Sequence, residues 1–212
     1  MGILFRGING PFSGKAGSVI GSNWKKVSYI KGLHKKSLKK AKPGQIGQRT
    51  RFKQMTDFLA PLSAVMELGF SKEDTRYMTA YNFGMSYNLK WAFKETDGNN
   101  EIDFSRIVIS RGNLPKPSDA RAELRPDVGF IISWSPDVRT STVCAEDKAT
   151  IVLFNAETIV HVTNLGQAQR GDGQAIINVP ASALPGVWHA YIFFTSPKGN
   201  NSPNFYIGEI RV

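Results

Sequence analysis

The sequence predicts an α+β protein. A basic, glycine-rich N-terminal arm or hairpin comes first, then a helical hairpin, then a C-terminal antiparallel β-sandwich of the immunoglobulin or fibronectin type III kind. Three observations carry this expectation. No acidic residue precedes Asp57, whereas 13 lysines and arginines do. From Gln45 onward apolar residues recur at helical spacing. After residue 102 the apolar period drops to two, and Gly, Pro, Asn and Asp clusters separate the runs. The expected boundary lies between residues 101 and 102, with the arm and helical hairpin in 1–101 and the sandwich in 102–212.

The segment SVIGSNWKKVSYIK (18–31) alternates imperfectly and is rich in β-branched and aromatic residues. It predicts a strand pair or an extended arm. GLHKKSLKKAKPG (32–44) has lysine pairs and few apolar anchors, which suits a solvated loop or a short basic helix. Phe52, Met55, Phe58, Leu59, Leu62, Val65 and Met66 then mark one helical face, with a kink or restart expected at Pro61 and a stop at Gly69. A second helix is expected from Ser71, with Asp74 as a capping-box partner. Its face is Tyr77, Met78, Tyr81, Met85, Leu89 and Ala92, and TDGNN (96–100) ends it. Phe58, Leu62, Tyr81, Met85 and Leu89 are the expected core of the hairpin. The strands are SRIVISR, VGFIISWS, ATIVLFN, GQAIINVP, VWHAYIFFTS and FYIGEIRV. Short runs at this spacing over about 110 residues point to a sandwich, with Trp134 a candidate core tryptophan.

Composition narrows the function classes. One cysteine among 212 residues leaves no internal disulfide framework and no thiolate zinc cluster. No apolar run approaches the roughly 20 residues of a membrane helix, so no membrane insertion is expected. MGILFRGINGPF does not read as a signal peptide, because Arg6 breaks its short apolar stretch. The expected location is the cytoplasm or the interior of a particle, with the host compartment open. The net charge of +10 is concentrated at the amino terminus, since beyond residue 56 there are 14 positive against 17 negative side chains. Such asymmetry points to a nucleic acid or another anionic surface.

GPFSGKAGSVIGSNWKK (10–26) invites a phosphate-loop reading and fails it. The run Gly10 to Ala16 is one residue short of a Walker loop, and Ala16 lacks the hydroxyl that would hold magnesium. No dinucleotide fingerprint stands between a strand and a helix. His34, His161 and His189 are scattered, and no nucleophile elbow accompanies them. Cys144 is followed by Glu146 and Asp147, which disfavour a thiolate. Asp97, Asn99, Glu101 and Asp103 alternate like calcium ligands but lack the glycine and closing glutamate of an EF-hand loop. The Arg170-Gly171-Asp172 tripeptide reads as a hairpin turn. No catalytic residue, metal or cofactor is assigned.

The amino-terminal pattern resembles that of a bacterial family of proteins of unknown function, which opens with G-x-x-G-x-F-S-G-K-x-G-x-V-x-G-S-x-W-K-G-x-x-Y-x-R. The match runs through Gly10, Phe12, Ser13, Gly14, Lys15, Gly17, Val19, Gly21, Ser22, Trp24, Lys25 and Tyr29. Lys26 stands where that family tends to have glycine, and Lys31 where it has arginine. FLAPLS, MTAYNFGMSYNLKWAF and IVISRGNL extend the resemblance over most of the chain. It implies no activity.

Two functional readings follow. The first is a non-enzymatic structural or assembly protein, such as a subunit of a phage-like particle or filament, that self-associates and whose basic arm contacts an anionic partner. The second is a DNA- or RNA-binding protein. A hydrolase of unknown type is a minor third. The polyanion-binding candidates are Lys15, Lys25, Lys26, Lys31, Lys35, Lys36, Lys39, Lys40, Lys42, Arg49 and Arg51, with Trp24 and Tyr29 as stacking groups or anchors.

Overall fold

A computed structural model of the chain describes residues 2–3, 12–24, 27–35, 40–75, 77–96, 99–125, 128–136 and 143–212. The chain is α+β with several antiparallel sheets, and it divides into two compact units, residues 1–43 and 44–212.

The N-terminal unit is a four-stranded antiparallel sheet. Its strands are β1 (Gly2–Ile3), β2 (Gly14–Ala16), β3 (Val19–Trp24) and β4 (Val27–Gly32), in the order β1-β4-β3-β2. Two residues join β2 to β3, and Gly17 supplies the positive φ of +60° that so tight a hairpin needs. Gly21 serves close packing instead: a Cβ there would stand 2.3 Å from the Phe12 carbonyl oxygen. Gly17 and Gly21, two of the glycines singled out in the sequence, are therefore a turn and a close-packing point of a sheet.

The second unit begins with α1 (Pro43–Leu59), a 3₁₀ turn at Ala60–Leu62 and α2 (Ser63–Gly69). The restart falls at Pro61, whose ring and missing N–H interrupt the ladder as expected. The second long helix begins later than the sequence suggested. α3 spans Ala80–Trp91, capped by Thr79, whose Oγ1 accepts from the Asn82 amide at 3.1 Å. Tyr77, at φ +70°, precludes a helix through the segment before it. The C-terminal end also moves. Beyond Trp91 the chain forms an antiparallel hairpin of β5 (Phe93–Thr96) and β6 (Asn99–Ile102). Asp97-Gly98, between them, is a dipeptide that favours two-residue hairpins. SRIVISR is not a strand either. Phe104–Arg106 is a 3₁₀ turn, and the backbone beyond it pairs with side chains. Asn88 donates to the Val108 carbonyl and accepts from its amide, both at 2.8 Å. Asn204 donates to Ile107 O and accepts from Ile109 N. The two amides satisfy buried backbone groups that a neighbouring strand would otherwise have to satisfy.

Seven strands follow, of which β7 (Arg121–Arg125) and β10 (Val160–Gln169) were not foreseen. The others are β8 (Gly129–Ser133), β9 (Lys148–Asn155), β11 (Gln174–Ile177), β12 (Val187–Thr195) and β13 (Phe205–Arg211). They form an antiparallel sheet of order β11-β8-β7 and another of order β10-β9-β12-β13. The two central strands of the four-stranded sheet, β9 and β12, are buried on both faces. Ile151, Leu153, Ala190, Ile192 and Phe194 join Phe130, Ile132, Trp134, Ala175 and Ile177 of the three-stranded side in one core. The alternate residues Val152, Phe154, Tyr191 and Phe193 join Met55, Phe58, Leu62, Met66 and Met85 of the helices in another. Two-sided burial explains why ATIVLFN and VWHAYIFF are almost continuously apolar. Of the expected helical core, Phe58, Leu62 and Met85 are buried, while Tyr81 and Leu89 are half-buried.

Candidate polyanion-binding face

Register decides which side chains of the N-terminal sheet meet. Lys15 on β2 stands opposite Ile20 on β3, which stands opposite Lys31 on β4. The next rung on the same face is Ser22, Tyr29 and Ile3, and the third is Trp24 with Val27. Opposed residues share a face, as do residues two apart on one strand. One face thus carries Lys15 and Lys31 at one end and Trp24 and Tyr29 toward the other, with Ile20 between the lysines. Neighbours across the rungs lie about 5 Å apart and diagonal ones about 7–8 Å apart. Trp24 is 47% exposed, both lysines are exposed, and Tyr29 is half-buried. The opposite face carries Gly21 under Phe12. Alternation along β3 and β4 is the signal that put these groups together, and the sequence alone left the pairing partner of each strand undetermined.

The other candidates separate into groups. Lys35, Lys40 and Lys42 are exposed in the chain that follows β4. Lys25, Lys26, Lys36 and Lys39 lie outside the described residues. Arg49 is exposed on α1, beside Ile46, Lys53 and Asp57. Arg51 points inward: its Nη2 donates to the Leu89 carbonyl at 2.8 Å, and its guanidinium lies 4.5 Å from the centre of the Phe93 ring. That guanidinium ties α1 to α3 and β5.

A family model matches residues 11–208, nearly the whole chain. The chain belongs to DUF6266. DUF6266 is a family of unknown function, so membership transfers no activity. No curated protein matches this DUF6266 chain.

Two histidines and one arginine of the DUF6266 chain are built into its larger unit. His161 and His189 flank Phe154 in register on neighbouring strands, with ring centroids 4.6 and 6.4 Å from it. His189 Nδ1 is hydrogen-bonded to the Tyr206 hydroxyl at 2.9 Å, and its ring stacks on Phe104. Cys144 is exposed, and its amide donates to Asp147. Among the described residues no group of three or more His, Cys, Asp and Glu side chains is arranged to hold a metal ion. No described helix is long and apolar enough to cross a membrane. The Arg-Gly-Asp tripeptide is a 3₁₀ turn between β10 and β11, not a presented loop. Arg170 is only 3% exposed, and its Nε donates to Asp147 at 3.0 Å. Its guanidinium also donates to Pro115 O and lies 3.8 Å from the centre of the Phe194 ring.

Burial holds both imidazoles below the ordinary histidine value. The folded chain therefore keeps them neutral where the unfolded chain takes up protons, near pH 6.5. The stability this represents is complete above about pH 6.5 and is lost as pH falls below it, by up to about 1.4 kcal/mol per pH unit for each histidine. The urea midpoint is expected to fall between pH 7 and pH 5. The double variant His161→Phe, His189→Gln is expected to show a flatter decline. A wild-type midpoint that does not change over this window contradicts the assignment.

Proposed function

We propose that this chain is a non-enzymatic binding protein whose N-terminal sheet receives a polyanion, with single-stranded nucleic acid the partner its chemistry suits best. The observation that supports this is the shared face of Lys15, Lys31, Trp24 and Tyr29. Lysines neutralise phosphates without reading sequence, and an exposed indole offers a surface on which any base stacks. A terminal quarter without one carboxylate adds a field that draws in anions. The C-terminal strands supply a rigid body, which we read as a fibronectin type III-like sandwich. Two antiparallel sheets of three and four strands share one core, and the chain passes between them from β8 to β9, β10 to β11 and β11 to β12.

A second reading, a subunit of an assembly, is favoured by the outer edge of β2. That strand is exposed and has no neighbour on its far side among the described residues. An open edge accepts a strand from another chain.

The salt dependence of oligonucleotide binding tests the first reading. Engagement of about six phosphates gives a log–log slope near −4 on single strands and near −5 on duplex DNA. Replacing Lys35, Lys36, Lys39 and Lys40 by glutamine flattens that slope and leaves folding intact. Trp24→Ala weakens single-strand binding by about 1–3 kcal/mol with little change in slope. Failure of the wild-type chain to bind DNA or RNA at about 50 mM salt, where phosphate contacts are strong, refutes the nucleic-acid reading. The assembly reading predicts a mass above 23.4 kDa at high concentration, measured by light scattering.

A further inference from the structure

A second candidate site lies in the larger unit, beside the chain segment that Asn88 and Asn204 hold in place. It is a cavity of about 590 Å³ lined by Tyr87, Trp91, Arg106, Arg111, Asn113 and Tyr206, among others. That is the size range of small-molecule sites, which combine an apolar wall with a few convergent polar groups. We infer that this cavity binds a small ligand carrying an oxyanion on a planar ring, with Arg111 gripping the oxyanion and Trp91 covering the ring.

Arg111 is prepared for this role. Its amide donates to the Gly69 carbonyl at 3.1 Å, and the residues just before it are fixed by the two asparagines. Its guanidinium lies 5.4 Å from the centre of the Tyr87 ring. An arginine over an aromatic face keeps its in-plane N–H fork, which matches a carboxylate or phosphate. Among the described residues no carboxylate or carbonyl engages that fork, whereas Arg106 already pairs with Asp103 at 3.2 Å. Trp91 is 52% exposed on the cavity wall, although a ring of this size is normally well covered. The Lys90 ammonium lies 4.7 Å from the centre of the Trp91 ring and adds positive charge beside it. Glu73 is the one carboxylate on the lining, against two arginines. The lining thus disfavours a cation, and a purely apolar ligand would leave Arg111 desolvated without a partner.

The test uses the full chain carrying Trp24→Phe, so that no tryptophan emission reports from the N-terminal sheet, and heat is assigned to this cavity only where Arg111→Gln removes it. Failure here and failure of the nucleic-acid reading are then separate results. Adenosine 5′-monophosphate and benzoate are titrated while tryptophan emission and heat are followed, with orthophosphate and adenosine as controls. At least one of the two ring-bearing oxyanions is expected to saturate at or below about 1 mM, and about tenfold more tightly than either control. Preference for the nucleotide assigns the oxyanion as phosphate, and preference for benzoate assigns it as carboxylate. Arg111→Gln and Arg111→Lys should each weaken binding about tenfold or more with an unchanged circular dichroism spectrum, since neither alters the backbone bond to Gly69. No saturation by either probe up to about 5 mM overturns the inference. So does equal affinity in a folded Arg111→Gln variant.

Discussion

Replacing Asp147 with alanine is expected to lower stability by about 3–5 kcal/mol, because it leaves the Arg170 guanidinium buried without its counter-charge. Asp147 is fully buried and Arg170 nearly so. Asp147 also accepts from the Cys144 amide, and the Arg170 amide in turn donates to the Asp147 carbonyl at 2.7 Å. The pair therefore joins the turn before β9 to the turn after β10, while the Trp134 indole donates to the Arg170 carbonyl from the core. For a chain of this length, each kcal/mol moves the melting temperature by about 2–4 °C. The double variant Asp147→Ala, Arg170→Met should recover much of the loss, because a methionine can lie over Phe194 with no charge to solvate. A melting shift of under about 2 °C for Asp147→Ala would show that the pair is not sequestered. A double variant no better than the single one would show that lost packing, not stranded charge, is the cause.

Leu62→Ala should cost about 2–5 kcal/mol. Leu62 is completely buried in the cluster that joins the helices to Val152, Phe154, Tyr191 and Phe193. It ends the 3₁₀ turn set by Pro61, so neighbouring side chains have little freedom to fill the void. Phe52→Ala is the contrasting control. Phe52 belongs to the same apolar series in the sequence but is 52% exposed, and its truncation should change stability by no more than about 0.5 kcal/mol. Thermal melts of both variants decide the matter. Equal shifts would mean that α1 presents a different face to the sheet.

The contrast between Leu62 and Phe52 shows how far periodicity reaches. Helical spacing selected a stripe including both, and the stripe is real, but its edges depend on what lies opposite. The same limit applies to α3. Its apolar face was legible from Tyr81 onward, whereas its start was placed at Ser71 and lies at the Thr79 cap. Tyr77 in a left-handed conformation rules out the earlier start, and such a backbone state is imposed by surroundings more than by residue type. At the other end, the apolar run continued into Phe93 and hid the hairpin, although Asp97-Gly98 was a local signal for it.

By itself the sequence determined the α+β class, the helix break at Pro61, the strand runs at β8, β9, β11, β12 and β13, and the basic terminus. These follow from period, from the covalent geometry of proline and from side-chain charge, which are local properties. Tertiary structure alone decided that β9 and β12 are covered on both faces, since burial on a second face depends on which distant segment packs there. It also decided that IVISR pairs with asparagine side chains, because an amide 20 or 95 residues away becomes a partner only when the fold closes. Finally, it set Lys15, Lys31, Trp24 and Tyr29 on one face. Alternation fixes the two sides of a single strand, but only pairing register brings the sides of different strands together.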